Sequence, residues 1–473
     1  MSKILLIKPR YFSLEFPTIT QPIGLMSIGA VLKKEGHDIK IHDCALDYND
    51  LNILRRTLQD WQPDMIGISI IVTEVEQTKR IMAIVRGVLP DVPVIFGGPW
   101  PSANPEASIR NVGANFVVCG EGEQVFPELI RAINSALPVD SIPGIASMMN
   151  GNMIIHPNQF LSAEELDALP FPAWELIDHK LYARTTSMAG IGRRFYMAIV
   201  TSRGCPFKCA YCHQTMGKVF RKRSADSVLR EMEELRFRHG FKEFEIIDDC
   251  FNLDRERMYA ILIGIQKRLG DVKLHFPNAL RSDLLTQEDV HLLKQAGTVS
   301  AAFSIETSSP RLQKMIHKNL DIEKANDAIQ AAVKAGIFTS GYFMIGFPTE
   351  TYKEAAATAE FALRSSLHKA SFFVPIPFAG TELARMVSSM QKRTNDEINF
   401  HEAHYYNTTQ NISAMSDREL QGIFRKAHIR FYLNPGRIIK YVLHHPQPSA
   451  FPRAVIRFLV KVLPRKLLLR RAA

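Results

Sequence analysis

Two hydrophobic periodicities alternate along the chain. Short apolar runs rich in Val and Ile read as buried strands, and stretches whose apolar residues recur every three or four positions read as helices packed on one face. Over residues 1–136 the pattern predicts strands at 4–8, 38–42, 65–70, 92–96 and 116–118. Helical patterns fall at 24–35, 50–61, 75–88, 105–111 and 124–136. Strand and helix alternating in this way imply an α/β domain with a doubly wound, flavodoxin-like parallel sheet, which takes ligands beyond the carboxyl ends of its strands. Pro9, Arg10 and Tyr11 follow the first strand there, and Ser69 closes the third. Gly97, Gly98 and Pro99 follow the fourth, and Gly120, Glu121, Gly122 and Glu123 the fifth. Glycine lets backbone approach a large planar ligand closely, although glycine after a strand is also ordinary turn chemistry.

Residues 137–194 break the alternation. A small hairpin or two is expected in SIPGIASMMNGNMIIHP, and the prolines of LDALPFPAWELID preclude a continuous helix. This segment reads as a connector strapping two larger domains together. From residue 195 to 386 the alternation resumes with a longer period, with strands predicted at 196–201, 244–247, 273–276, 300–305, 340–345 and 370–374. Six βα units predict a partial (β/α)6 barrel with its working residues at the carboxyl ends of the strands. Residues 387–450 read as mostly helical, with one helix capped by Ser416. The histidines of this region are solvated surface or substrate contacts.

Composition narrows the picture. A hydrophobic content of 46% over 473 residues supports real cores. Six cysteines, three of them clustered, argue against a disulfide framework and for a reducing, cytoplasmic compartment. The opening MSKILLIKP is too short for a signal peptide, and no run of 18 apolar residues is expected to span a membrane. After Glu419 there is no acidic residue, yet 12 Lys and Arg follow, so the net charge of +10 leaves the preceding 419 residues near −2. In the tail, residues 451–473, Arg453, Arg457, Lys461 and Arg465 recur every four positions among apolar residues. This predicts a helix on an anionic membrane surface, a helix docked on the body, or, least expected, a nucleic-acid contact. A peripheral membrane position would suit a lipid, isoprenoid or tetrapyrrole substrate.

The chemistry centres on Cys205, Cys209 and Cys212, which follow a predicted strand. Closely spaced thiolates hold soft metals. Structural zinc wants four ligands, which His213 or Cys250 would complete, whereas a cluster held by three thiolates leaves one iron open. The triplet, with Tyr211 between its last two members, resembles the Cys-x-x-x-Cys-x-aromatic-Cys signature of the radical S-adenosylmethionine (radical SAM) superfamily. That resemblance implies a 4Fe-4S cluster on the three cysteines, with S-adenosylmethionine chelated to the open iron. A one-electron donor such as flavodoxin or ferredoxin would drive its cleavage to a 5′-deoxyadenosyl radical. PIGLMSIGAVLKKEGHDI, GGPWPSANPE and VVCGEGE together resemble the cobalamin-binding domain fused ahead of radical SAM domains. Such enzymes include carbon methyltransferases and the anaerobic oxidative cyclase of bacteriochlorophyll precursors. Cobalamin would then meet Tyr11, Ser69, Gly97, Gly98, Gly120 and Glu121. KPRYFS stands where free-standing cobalamin domains carry Asp-x-His-x-x-Gly, so the lower face should lack a protein histidine.

Under the same resemblance, residues at the barrel's strand ends would meet S-adenosylmethionine. Asp248 and Asp249 would orient its ribose or a substrate, or would cap the following helix, and Cys250 is a small buried hydrophobe or a cavity-facing thiol. Ser304 and Glu306, in SIETSS, would contact the sulfonium cofactor, or Glu306 would pair with Arg281 or Arg311. Gly346, in GYFMIGFPTET, would lie near the adenine, with Thr349 where this subgroup usually has glycine and Glu350 not expected as a ligand. Pro375 fits a backbone-mediated adenine platform or a structural turn. The implied function is radical modification of an unactivated carbon in a small lipophilic molecule, by methylation or by ring closure. A non-catalytic zinc or iron-sulfur scaffold at the membrane is the reading from another class.

Overall fold

The computed structural model describes residues 1–10, 18–47, 50–139, 141–157, 159–213, 215–390 and 411–450, with Pro452 and Val455. Tyr11, the histidines at 401 and 404, and the rest of the tail lie outside the described residues. Two compact units divide the chain, the first containing Ile19–Tyr182 and His213–Arg223, the second Ala183–Cys212 and residues from Ser224 on.

The first unit is organised on β1 (Lys3–Lys8), whose Ile4, Leu5, Leu6 and Ile7 are all 0% exposed. Alternate side chains of a strand point to opposite faces, so a continuous apolar run requires cover on both. Leu5 and Ile7 pack with Leu54 and Leu58 of α2 (Leu51–Trp61) and Ile81 and Val85 of α3 (Val75–Val88). Ile4 and Leu6 meet Leu25 and Leu32 of α1 (Ile23–Lys34) and Phe126, Leu129 and Ile130 of α4 (Gly122–Asn134). With β2 (Asp38–Asp43), β3 (Met65–Ser69), β4 (Val94–Gly97) and β5 (Phe116–Val118), the parallel order is β2-β1-β3-β4-β5. The order reverses between β1 and β3, opening a crevice at the carboxyl edge.

Part of the expected connector is not a strap. Its hairpin, β6 (Ile145–Met149) and β7 (Asn152–Ile155), pairs antiparallel with β5 and makes this a seven-stranded sheet. The reason is edge protection: β5 offers three short apolar residues that would otherwise end the sheet unpaired.

In the second unit the six strands β8 (Met197–Ile199), β9 (Glu243–Ile246), β10 (Lys273–Leu280), β11 (Thr298–Glu306), β12 (Phe338–Met344) and β13 (Lys369–Phe373) lie parallel in sequential order. Helices follow as α5 (Ala225–Phe237), α6 (Arg255–Arg268), α7 (Gln287–Gln295), α8 (Pro310–Met315) with α9 (Ile322–Lys334), α10 (Tyr352–Arg364) and α11 (Glu382–Ser389). This is the βα repeat of a partial barrel. Strands β10 and β11 run past their predicted ends and break register between Phe276 and Leu280 and between Ser304 and Glu306. Beyond them α12 (Asp417–Tyr432) begins at Ser416, whose hydroxyl forms a capping box with Glu419, and α13 (Pro435–His444) follows.

Candidate active site

The cysteine loop leaves the carboxyl end of β8 and is gripped from two sides. Ala210 donates its N–H to the Ile316 carbonyl at 2.9 Å, and its carbonyl accepts from Leu383 N–H at 2.8 Å. Within the loop Cys212 N–H donates to Cys209 O at 3.1 Å. Cys205 and Cys209 are half-buried and Cys212 is exposed. Tyr211 turns inward against Leu312, Ile316 and Phe347 on one side and Leu383, Val387 and Ile412 on the other. Its hydroxyl donates to Glu306 Oε1 at 3.0 Å. Burial, then the charges of Glu306 and the neighbouring thiols, hold this phenol well above its ordinary range, so it remains an O–H donor.

Among the described residues no three His, Cys, Asp or Glu side chains converge on one ion-sized point. A mononuclear tetrahedral zinc requires such convergence, whereas a cluster takes one thiolate per iron and spreads its ligands. Three loop cysteines, two half-buried and one exposed, are the donor set that such a cluster takes. Cys250 is 3% exposed, and burial, with Cys205 nearby, pushes its thiol up to about 12. It behaves as a buried protonated thiol rather than a ready thiolate ligand.

The end of β11 carries the most unusual backbone at the site. Glu306 has φ +64°, a left-handed conformation that costs a non-glycine residue about 1–2 kcal/mol, and it sits at the register break. That conformation aims its carboxylate inward at 5% exposure. One oxygen takes the Tyr211 hydroxyl and, at 3.5 Å, the Lys318 ammonium. The other, Oε2, is buried and has no partner among the described residues. Lys318 is only 7% exposed and donates to Ser304 Oγ at 2.8 Å. The sequence reading missed it, because a lysine after a short helix carries no periodic signal. The partners expected for Glu306 are engaged elsewhere: Arg281 makes two bonds to Asp283, at 2.8 and 3.1 Å, and Arg311 pairs with Glu354 at 2.8 Å. Lys318, Arg281, Phe207, Lys208 and His317 line a pocket of about 520 Å³ beside the cysteine loop.

Asp248 does not cap the following helix. It is 3% exposed, and its carboxylate accepts from Thr201 N–H at 2.6 Å, the Thr201 hydroxyl, and the Ser202 hydroxyl at 2.6 Å. It ties the end of β9 to the root of the cysteine loop, and Asp254 rather than Asp248 caps α6. Asp249 is exposed at the same strand end. On β12's loop, Glu350 accepts from Gly346 N–H at 2.5 Å and Phe347 N–H at 2.9 Å, which fixes the turn that Thr349 enters at φ +60°. Gly346 itself has φ +112°, and a Cβ there would stand 3.7 Å from Pro375 Cδ. The two predicted adenine-side residues are thus neighbours.

In the first unit, the carboxyl ends of β3, β4 and β5 bring most of the other predicted residues together. Ser69 and Gly97 are register partners, and a Cβ on Gly98 would lie 3.0 Å from Ile70 N, Ile70 O and Ser69 Oγ. Gly120 N–H donates to Ser102 Oγ at 3.1 Å. A Cβ on Gly97 would meet nothing nearer than Val118, at 4.0 Å. This edge therefore presents backbone and small side chains, which fits a planar macrocycle. No histidine occurs in residues 1–36, so none follows β1. Glu121 is 5% exposed, and its Oε2 accepts from Leu161 N–H at 2.7 Å and from Arg221 Nη1 at 2.6 Å.

Comparison with known proteins agrees with this layout. The radical SAM superfamily model matches residues 199–362 and the B12 binding domain model matches residues 10–130. An uncharacterized methyltransferase of Pyrococcus horikoshii is 28% identical, covering 90% of this chain and 91% of its own length. The anaerobic magnesium-protoporphyrin IX monomethyl ester cyclase of Rubrivivax gelatinosus is 25% identical over 91% of this chain and 78% of its own length. Among solved structures, the radical S-adenosylmethionine methyltransferase TsrM of Kitasatospora setae, with cobalamin and a [4Fe-4S] cluster bound, superposes with a TM-score of 0.69 at 20% identity, covering 83% of this chain and 79% of that one.

Proposed function

We infer that this chain, in which a B12-binding domain precedes a radical SAM domain, is an enzyme that methylates an unactivated carbon of a small molecule. The observation that carries the reading is the Cys205, Cys209, Cys212 loop with Tyr211 bonded to Glu306 beside a buried, unsatisfied carboxylate oxygen. When bound, a 4Fe-4S cluster with S-adenosylmethionine supplies a one-electron route to a carbon radical, and cobalamin supplies a methyl carrier. The protein's part is binding, orientation and exclusion of water. Cys205, Cys209 and Cys212 would hold the cluster. Lys318 would neutralise a carboxylate, and Glu306 Oε2 would accept from a hydroxyl or ammonium group. The turn at Gly346 and Pro375 would receive a flat base, while Ser69, Gly97, Gly98 and Gly120 would line the corrin.

Methyl transfer is preferred over ring closure because the relative with the higher identity is named a methyltransferase. A flavodoxin or ferredoxin would supply the electron, and a lipophilic substrate would suit a cytoplasmic enzyme working at a membrane surface. Anaerobic reconstitution tests the core of this reading. The loaded enzyme should hold about four irons per chain, bind cobalamin, and release 5′-deoxyadenosine from S-adenosylmethionine under reduction. Cys205→Ala, Cys209→Ala and Cys212→Ala should each lose that release and keep cobalamin. Zinc in place of iron, with no cleavage, would refute it.

A further inference from the structure

Helix α13 carries apolar side chains on its outer face as well as on its inner one, where Ile438, Tyr441 and Val442 are half-buried. A helix on a folded body normally turns its apolar stripe inward. Here Arg437 points inward, donating to the carbonyls of Leu363 at 2.8 Å, Ser365 at 3.0 Å and Leu367, with its guanidinium 4.0 Å from the Phe431 ring centre. Tyr441 meets Phe338 edge-on at 5.5 Å. The outward stripe, at three- and four-residue spacing, is Gly436, Ile439, Lys440, Leu443 and His444, all exposed. Ile439 is 59% and Leu443 73% exposed, and Leu433, just before the helix, is 58% exposed.

Charge decides what would cover this face. Lys440 lies on the stripe, Arg425 and Lys426 are exposed on α12, and from Leu420 to the last residue there are 12 Lys and Arg and no Asp or Glu. Two copies meeting face to face would bring Lys440 and these cations against their own kind. Exposed apolar side chains among cations match the chemistry of an anionic bilayer surface, where the apolar groups enter the headgroup boundary and the cations meet phosphate. We propose that the outer face of α13 docks this enzyme on an anionic lipid bilayer. Among the described residues no helix is long and apolar enough to cross a membrane, so the contact lies on the surface. The proposal does not depend on the radical chemistry, since neither the helix nor its cations belong to that site.

The test is flotation of the full chain with vesicles of phosphatidylcholine containing roughly one-third phosphatidylglycerol, against pure phosphatidylcholine. Binding should appear only with the anionic vesicles and be released by high salt. Ile439→Asp with Leu443→Asp should lower it about tenfold, while circular dichroism, sedimentation and deoxyadenosine release stay unchanged. Absence of flotation on anionic vesicles would overturn the proposal. So would undiminished flotation of the double variant, which would assign attachment to the tail alone, or a shift from dimer to monomer in that variant, which would assign the face to a second copy.

Discussion

The Tyr211 hydroxyl and Glu306 Oε1, 3.0 Å apart, join the cysteine loop to the carboxyl end of β11. The aromatic residue of the cysteine motif therefore both fills a hydrophobic gap and orients a carboxylate whose second oxygen has no partner among the described residues.

Tyr211→Phe keeps the ring and removes the donor. Glu306 then retains only the longer Lys318 contact inside a buried site, a loss of about 1–2 kcal/mol. Iron content should stay at the wild-type level while S-adenosylmethionine affinity, measured by calorimetry on reconstituted enzyme, falls about five- to thirtyfold. Unchanged affinity would mean that Glu306 does not need this orientation.

Gly98→Ala addresses the first unit. At φ +92° a side chain is strained, and its Cβ would press on Ile70 backbone atoms at 3.0 Å, which have no free rotation to yield. A destabilisation of about 1–3 kcal/mol is expected, with weaker cobalamin uptake in an absorbance titration. Gly87→Ala is the contrast. It lies within α3, where a Cβ would meet nothing within 4 Å, so it should raise stability by about 0.5–1 kcal/mol.

Glu350 should give the second unit a pH dependence. Burial raises its carboxyl to about 7 even though two amides favour the charged form. The folded state thus holds this proton more tightly than the unfolded state, whose carboxyl titrates near 4.3. Its contribution is therefore fully present below about pH 4 and is lost as pH rises to about 7. Glu350→Gln should remove that slope and, at pH 8, be more stable than wild type by on the order of 2–3 kcal/mol. Denaturant melts of both proteins at pH 5 and pH 8 read the difference. Parallel pH profiles would show that Glu350 does not titrate in this window.

Central strands were legible where burial on both faces leaves an uninterrupted apolar run, as in Ile4 to Ile7. The cysteine loop was legible from its spacing alone. What escaped was fixed by contacts between residues distant in sequence. Lys318 meets Ser304 only because α8 ends beside it, and Asp248 is held by Thr201 and Ser202, some forty-five residues earlier. The bond from Arg221 to Glu121 joins residues a hundred positions apart, and neither segment signals it. The hairpin at 145–155 shows alternation too weak to reveal which sheet it would join.

The grip on Ala210 bears on how the enzyme is maintained. Ile316 and Leu383 hold the loop through backbone hydrogen bonds, so the placing of the three cysteines depends on where α8 ends and α11 begins. By the same logic, a fault at the end of α8 or the start of α11 would surface as poor iron loading in a chain whose three cysteines are all intact.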